Sequence, residues 1–314
     1  MKNNILSSVS RRRSLVIWLV FCSIAAVTFI SYVLTSLASG NGALIMPLDD
    51  VYIHFQYARQ LAAGQPYVYN PGLAPTSGAT SFLYPYILAV GYVTGFQGLQ
   101  LGLWAMAVGA LAMVGATRLV YQLVAALGTG DVLAILVAVA FGTNGAVAWH
   151  FMSGMETGLV MLLTVGTLYA VIRFDGSRVW PVVVWAGLLA LMRPEGGVLA
   201  VVAVGVVLWK WWANRRHSSG RPVQMGLWLA LPVLAVGVQP LVNLVMTGSA
   251  VASGNSAKSV LGAVPFDLGE VIRRIAENFV RMWGEFGTGI SPREGLYILP
   301  LLLILAVVAS DCCW

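Results

Sequence analysis

Two adjacent carboxylates, Asp49 and Asp50, lie just past the first apolar run of a chain in which only 10% of residues are charged. An ionisable side chain in hydrocarbon costs roughly 2.5 to 3.5 kcal/mol at a helix centre unless it faces water, a partner or a ligand. After Pro47 the pair suits a helix start, where an acidic side chain caps free backbone N–H groups and favours the dipole, but capping takes only one of them. Oxygen ligation of a divalent cation, Mg or Mn, is one role for a doubled carboxylate. Asp50, His54 and Tyr57 then follow at spacings of four and three, with Arg59 close behind. This spacing predicts a horizontal amphipathic helix running to Ala63, its polar face toward water and Val51, Phe55 and Leu61 toward the membrane interface.

Three further polar breaks carry candidate chemistry. In Ser153-Gly154-Met155-Glu156-Thr157, Glu156 either stabilises the first turn of the next helix or belongs to a functional cleft. In Met192-Arg193-Pro194-Glu195, the Arg and Glu at a Pro and Gly break either pair with each other or face a ligand. In Asn255-Ser256-Ala257-Lys258-Ser259, Lys258 is either solvated or holds a phosphate as a point charge. His54, His150 and His217 have no metal-ligand spacing with carboxylates, and Cys22, Cys312 and Cys313 form neither a disulfide framework nor a zinc pattern. No nucleophile elbow or phosphate-binding loop pattern occurs.

The elements that must position these residues are apolar. The 314 residues are 59% hydrophobic, with 34 glycines and 11 tryptophans, and a mean hydropathy of +0.82. These values predict an all-α, polytopic integral membrane protein. Apolar runs near 15–38, 99–125, 132–150, 156–172, 179–192, 196–212, 224–246 and 296–309 approach the roughly 20 residues a spanning helix needs. The basic clusters Arg11 to Arg13, Arg173 with Arg178, and Lys210 to Arg221 share one side only if 82–96, with its Pro85 and Gly91, does not cross. That segment reads as a re-entrant or interfacial helix. The expectation is about eight spanning helices with residues 1–13 in the cytoplasm. The acidic motif then lies in a first extracytoplasmic loop, 39–98, and a long loop covers 247–295 on the same face. The formal charge of +6 sets this orientation and implies no nucleic-acid partner. The tail 311–314 follows an apolar run without a basic cluster, which reads as C-terminal truncation.

Taken in order on one face, Asp49 to Arg59, Pro75 to Ser81, Gly154 to Thr157, Arg193 to Gly196 and Asn255 to Lys258 resemble the polytopic GT-C glycosyltransferases. The likeness is to bacterial members related to the arabinofuranosyltransferases and, more distantly, to the protein O-mannosyltransferases, over about residues 14–300. It implies a GT-C transmembrane domain over 14–310 in the cell membrane. The donor is then a polyprenyl-phosphate sugar, and the acceptor a hydroxyl of an extracytoplasmic glycan, lipid or protein. The resemblance makes Asp49 the general base, with Asp50 supporting it or binding a metal. His54, Tyr57, Arg59, Glu156, Arg193, Glu195 and Lys258 are the substrate-binding candidates, the cations among them offsetting the leaving phosphate. Gly254 stands where the related pattern has Pro, and the chain ends before the further helices usual in the family. A transporter or flippase of lipid-linked sugars, and a non-catalytic truncated homologue, are the alternatives.

Overall fold

The computed structural model describes residues 2–213, 222–253 and 266–288, and every described element is helical. Four helices are long and apolar enough to cross a membrane: α1 (Lys2–Ser39), α4 (Leu101–Ala126), α9 (Pro194–Ala213) and α10 (Pro222–Thr247). Between them come α2 (Asp49–Ala62), α3 (Tyr84–Val93), α5 (Asp131–Thr143), α6 (Gly145–Met152), α7 (Thr157–Ile172) and α8 (Trp180–Met192), and α11 (Leu268–Thr288) follows α10. The chain is a multi-pass helical membrane protein.

The run near 132–150 is not one straight helix. It breaks at Asn144, and α5 and α6 meet at a 58° bend, so the pair makes at most a fifth span among the described residues. Asn144 leaves the helix with an extended backbone, and its side-chain oxygen accepts hydrogen bonds from Ala146 N and Val147 N. The break is therefore a helix restart with its own cap. α7 and α8, with 16 and 13 residues, are about 24 and 20 Å long, short of the roughly 30 Å hydrocarbon core. α8 stops early because Arg193 adopts an extended backbone before Pro194 opens α9. The run 296–309 and the tail lie outside the described residues.

α4 is the central post. One stripe of it is buried and built largely of small residues, Gly102, Ala105, Gly109, Ala112 and Ala116, at the spacing that lets helices approach closely in lipid. α1, α5, α6 and α7 pack around it. At Gly109 a side-chain Cβ would overlap the Phe151 carbonyl on α6. Large apolar side chains such as Leu111, Val198 and Val245 point outward instead. Two contacts tie the far ends of the helices: Arg13 Nη2 lies 2.7 Å from Asp131 Oδ2, and Lys210 Nζ donates to Val171 O at 2.8 Å.

α2 is amphipathic, but its polar face turns inward. His54, Tyr57 and Gln60 are buried together with Val51, Phe55 and Ala58, because α3 and the loop over 66–81 fold across it. The Tyr57 hydroxyl finds partners there, Thr76 Oγ1 at 2.6 Å and the Gly78 N–H at 2.8 Å. The expected water-facing presentation holds only for its first residues: Asp49 is exposed and Asp50 half-buried. α3, at 10 residues, spans about 15 Å, half the bilayer core.

Within 247–295 the structure also holds a helix that the reading of one long polar loop does not anticipate. α11 carries Leu268, Ile272, Ile275, Phe279 and Trp283 exposed along one stripe. Its other side is laced by Arg273 to Glu270 and Glu277, and Arg274 to Glu270, at 2.6 to 2.7 Å. That is the build of a helix lying in a lipid interface.

Gly109→Val forces α6 away from α4 and should cost about 1 to 3 kcal/mol. It is checked as a lowered thermal denaturation midpoint of the detergent-solubilised chain. An unchanged midpoint would contradict the close approach.

Candidate functional site

Three separate turns meet at one end of the bundle, and the side chain they meet on is Glu156. It occupies the N-cap position of α7 but makes no capping hydrogen bond, and it is fully buried. The turn that delivers it depends on Gly154, whose φ of +81° is a left-handed backbone that favours glycine. Ser153 Oγ accepts from Met155 N, Thr157 Oγ1 donates to His150 O, and the Tyr84 hydroxyl donates to Gly154 O. The turn is thus anchored from α3 as well as from α6.

Around the carboxylate, Arg193 Nη1 lies 3.6 Å from Oε1 and His54 Nε2 3.5 Å from Oε2. Thr80 Oγ1 donates to Oε1 at 3.5 Å. Arg193 also bonds Glu195, with Nε 3.2 Å from Oε2, which is the pairing of neighbours that the sequence offered as one of its two alternatives. Arg193 pairs with its neighbour and with the distant Glu156. The ring of Tyr84 stands edge-on to the His54 imidazole at 5.4 Å.

Two buried atoms in this cluster, His54 Nδ1 and Glu156 Oε2, have no hydrogen-bond partner among the described residues. Buried polar atoms are nearly always satisfied, so orphans of this kind mark a place where strain, water, an ion or a ligand is involved. Burial holds the imidazole below its ordinary pKa of 6.5, outweighing the opposing fields of Glu156 and Asp50 and adding to that of Arg193. The result is a neutral histidine beside a carboxylate engaged by a partly exposed arginine. Such a set can accept a proton or orient a hydroxyl, and Arg193 keeps 28% of its side chain exposed.

The other sequence candidates fall at graded distances from this cluster. Asp50 is half-buried and close enough to act on the His54 imidazole. Asp49 lies exposed beside it, its Oδ1 accepting from Asp50 N at 2.9 Å. Glu195 is 70% exposed and touches the cluster only through Arg193. Tyr57 sits on the far side of the 66–81 loop, holding Thr76 and Gly78. Arg59 is exposed near the opposite end of α2, and Lys258 lies outside the described residues. Among the described residues no three histidine, cysteine or acidic side chains group at metal-ligand distance. Asp49 and Asp50 are thus two adjacent carboxylates with no third such side chain grouped with them among the described residues.

Sequence reasoning misses Thr80 as a partner of Glu156, and it misses Gln239 and Asn243 altogether. These two amides, buried one turn apart on α10, interrupt an apolar run, and an unpaired amide inside a span is the signal that points to them. Beside them lies an open cavity lined by Tyr57, Tyr67, Phe82 and Tyr86 as well as both amides. Burial, with Tyr86 and Tyr57 nearby, pushes the Tyr67 hydroxyl up to about 12. Comparison with family models, with curated proteins and with solved structures finds no match.

Arg193→Leu leaves the buried Glu156 without its cation and should cost about 3 kcal/mol. Glu195→Ala, on the exposed side, should cost under about 0.5 kcal/mol. Thermal denaturation in detergent compares them, and equal effects would refute the asymmetry. The His54 shift adds a pH signature. Because the folded pKa is depressed, the unfolded chain binds the proton first as pH falls. The stabilisation is therefore whole above about 6.5 and is lost below it, with a limiting slope of ~1.4 kcal/mol per pH unit. A His54→Gln chain should show a flatter denaturation midpoint between pH 7 and 5 than wild type.

Proposed function

We propose that the chain is a multi-pass membrane glycosyltransferase of the GT-C kind. In this reading about eight helices cross the cell membrane, the N-terminus is cytoplasmic and the site is extracytoplasmic. A sugar passes from a polyprenyl-phosphate carrier to a hydroxyl of a cell-envelope glycan, lipid or protein, with inversion at the anomeric carbon. The observation that carries the reading is the gathering of Asp50, His54, Glu156 and Arg193, drawn from α2 and two breaks far from it in sequence, at one end of an apolar bundle. Ionisable groups collected in a membrane protein mark a substrate path or reaction centre far more often than a fold requirement.

The chemistry balances with these groups. The acceptor oxygen attacks the anomeric carbon, the bond from that carbon to the carrier phosphate breaks, and a carboxylate of the Asp49 and Asp50 pair takes the acceptor proton. The carrier leaves as a phosphate monoester with one more negative charge, which needs cations and no acid. Arg193, next to the cluster and partly exposed, suits that role. Arg59 is ten positions beyond Asp49 on α2, about 15 Å along the axis, and serves better as a contact for the lipid headgroup.

The bend between α5 and α6 favours one other reading, transport of a lipid-linked sugar, because broken helices beside ionisable groups are the construction of many transporters. The two readings part on product. Membranes carrying the chain are supplied with radiolabelled polyprenyl-phosphate sugars, and acceptor-linked label is compared with label moved across the bilayer. Asp50→Asn and Asp49→Asn, at equal expression, should together lower transfer by about 10²- to 10⁴-fold. Undiminished transfer in the double variant would remove the base assignment. Movement of label without a new glycosidic bond would replace the transferase with a transporter.

A further inference from the structure

We infer that the outward groove between α1 and α4, at Arg118, binds the phosphate of a membrane phospholipid with a net negative headgroup. Arg118 lies eight residues short of the end of α4, about 12 Å along its axis. It is inside a span, where an unpaired cation is costly and needs a partner. Among the described residues it makes no hydrogen bond and no ion pair, and its Nη1 is buried without any partner. What it has instead are two aromatic faces. Its Cζ stands 4.9 Å from the centre of the Tyr121 ring and 5.7 Å from that of Trp18. Such faces hold a guanidinium in place but leave its charge intact.

The carboxylate nearby is already engaged. Asp131 Oδ2 lies 2.7 Å from Arg13 Nη2, and Asp131 Oδ1 accepts from the Tyr121 hydroxyl at 3.1 Å. Arg13 is therefore offset and Arg118 is not, and the three side chains together keep one positive charge. Nη1 is the guanidinium nitrogen that is closed off; Nε and Nη2, equally unbonded among the described residues, keep accessible surface. The surface around them faces outward. Leu111, seven residues earlier and so on the same stripe of α4, is 75% exposed, and Trp18 is 41% exposed. Leu111 also lies about 10 Å deeper in the bilayer, where an acyl chain runs below a headgroup held at Arg118.

Depth selects the ligand. A soluble anion would have to shed its water and enter the apolar layer, whereas a lipid phosphate already sits at the level that a long basic side chain near a helix end reaches. Trp18 and Tyr121 suit the same level. A zwitterionic headgroup brings its own cation to compete for the phosphate, so a net negative lipid is preferred. The groove is also remote from the ionisable cluster. Gly102, at the other end of α4, and Gly154, in the turn that carries Glu156, both pack against Met46. Sixteen residues separate Gly102 from Arg118, about 24 Å. Lipid binding here does not depend on the transferase reading.

The test is native mass spectrometry of the full chain in detergent, titrated with phosphatidylglycerol or with phosphatidylcholine of the same acyl chains, and with inorganic phosphate as competitor. The first phosphatidylglycerol should bind about fivefold tighter than phosphatidylcholine and should resist an excess of phosphate. Arg118→Met keeps the length of the side chain and suits a span, so its thermal denaturation midpoint in phosphatidylcholine nanodiscs should not fall, while the preference for phosphatidylglycerol disappears. Arg118→Lys keeps the charge and should keep more of the preference than the Met variant, which separates a lost site from a damaged fold. Arg178→Gln removes the same charge from an exposed position between α7 and α8 and should leave the preference in place. No preference in the wild type, the same preference in Arg118→Met, or a Lys variant as weak as the Met one would overturn the site. An equal loss in Arg178→Gln would replace it with general surface charge, and displacement by inorganic phosphate would replace the lipid with a free anion.

Discussion

The side chain of Glu156 is closed off from water, and a buried carboxyl group has to be surrounded by compensating partners. No helix of this bundle supplies them alone. The partners come from α2 as His54, from the loop ahead of α3 as Thr80, and from the α8 to α9 junction as Arg193. The requirement fixes how these segments converge, and it accounts for several local oddities. Arg193 takes an extended backbone that ends α8 after 13 residues, and Gly154 takes a left-handed turn that carries Glu156 inward. The polar side of α2 faces the core because its histidine is one of the partners.

Away from this end the bundle follows ordinary membrane packing. Small residues on α4 let neighbouring helices approach, large apolar ones face outward, and buried Thr117 and Thr167 fit within the core, Thr167 by returning its hydroxyl to Leu163 O at 2.7 Å. Hydrophobic burial supplies little distinction between helix contacts and lipid contacts, so close backbone approach and polar pairing carry the specificity. That is why single contacts such as Gly109 against Phe151 matter, and why Glu156 matters most.

Much of this was legible in the chain. The long apolar runs of α1, α4, α9 and α10 are plain from length and composition, and the polar breaks at Asp49, Glu156 and Arg193 stand out because charge is so scarce. Their convergence is a statement about tertiary contact, which spacing within one helix does not contain; His54 pairs with a residue about a hundred positions away. Asn144 looks unremarkable in an apolar stretch because its effect is a cap, expressed only once the backbone has left the helix. Gln239 and Asn243 hide for the opposite reason. An isolated amide is tolerated in many apolar helices, and only its buried, half-satisfied state separates it from them. The stripe of α11 was present as spacing from Leu268 to Trp283, but charged residues between them make the segment resemble a loop when hydropathy alone is weighed.

Thr80 has one further consequence. Its main chain bonds to Gln239 on α10 and its side chain to Glu156, so the two are joined through one residue with no flexible linker between them. Any shift of Gln239 that carries the Thr80 carbonyl with it also moves the donor offered to Glu156. The seating of the α10 amide and the surroundings of the buried Glu156 are therefore set together, by one residue that bonds to both.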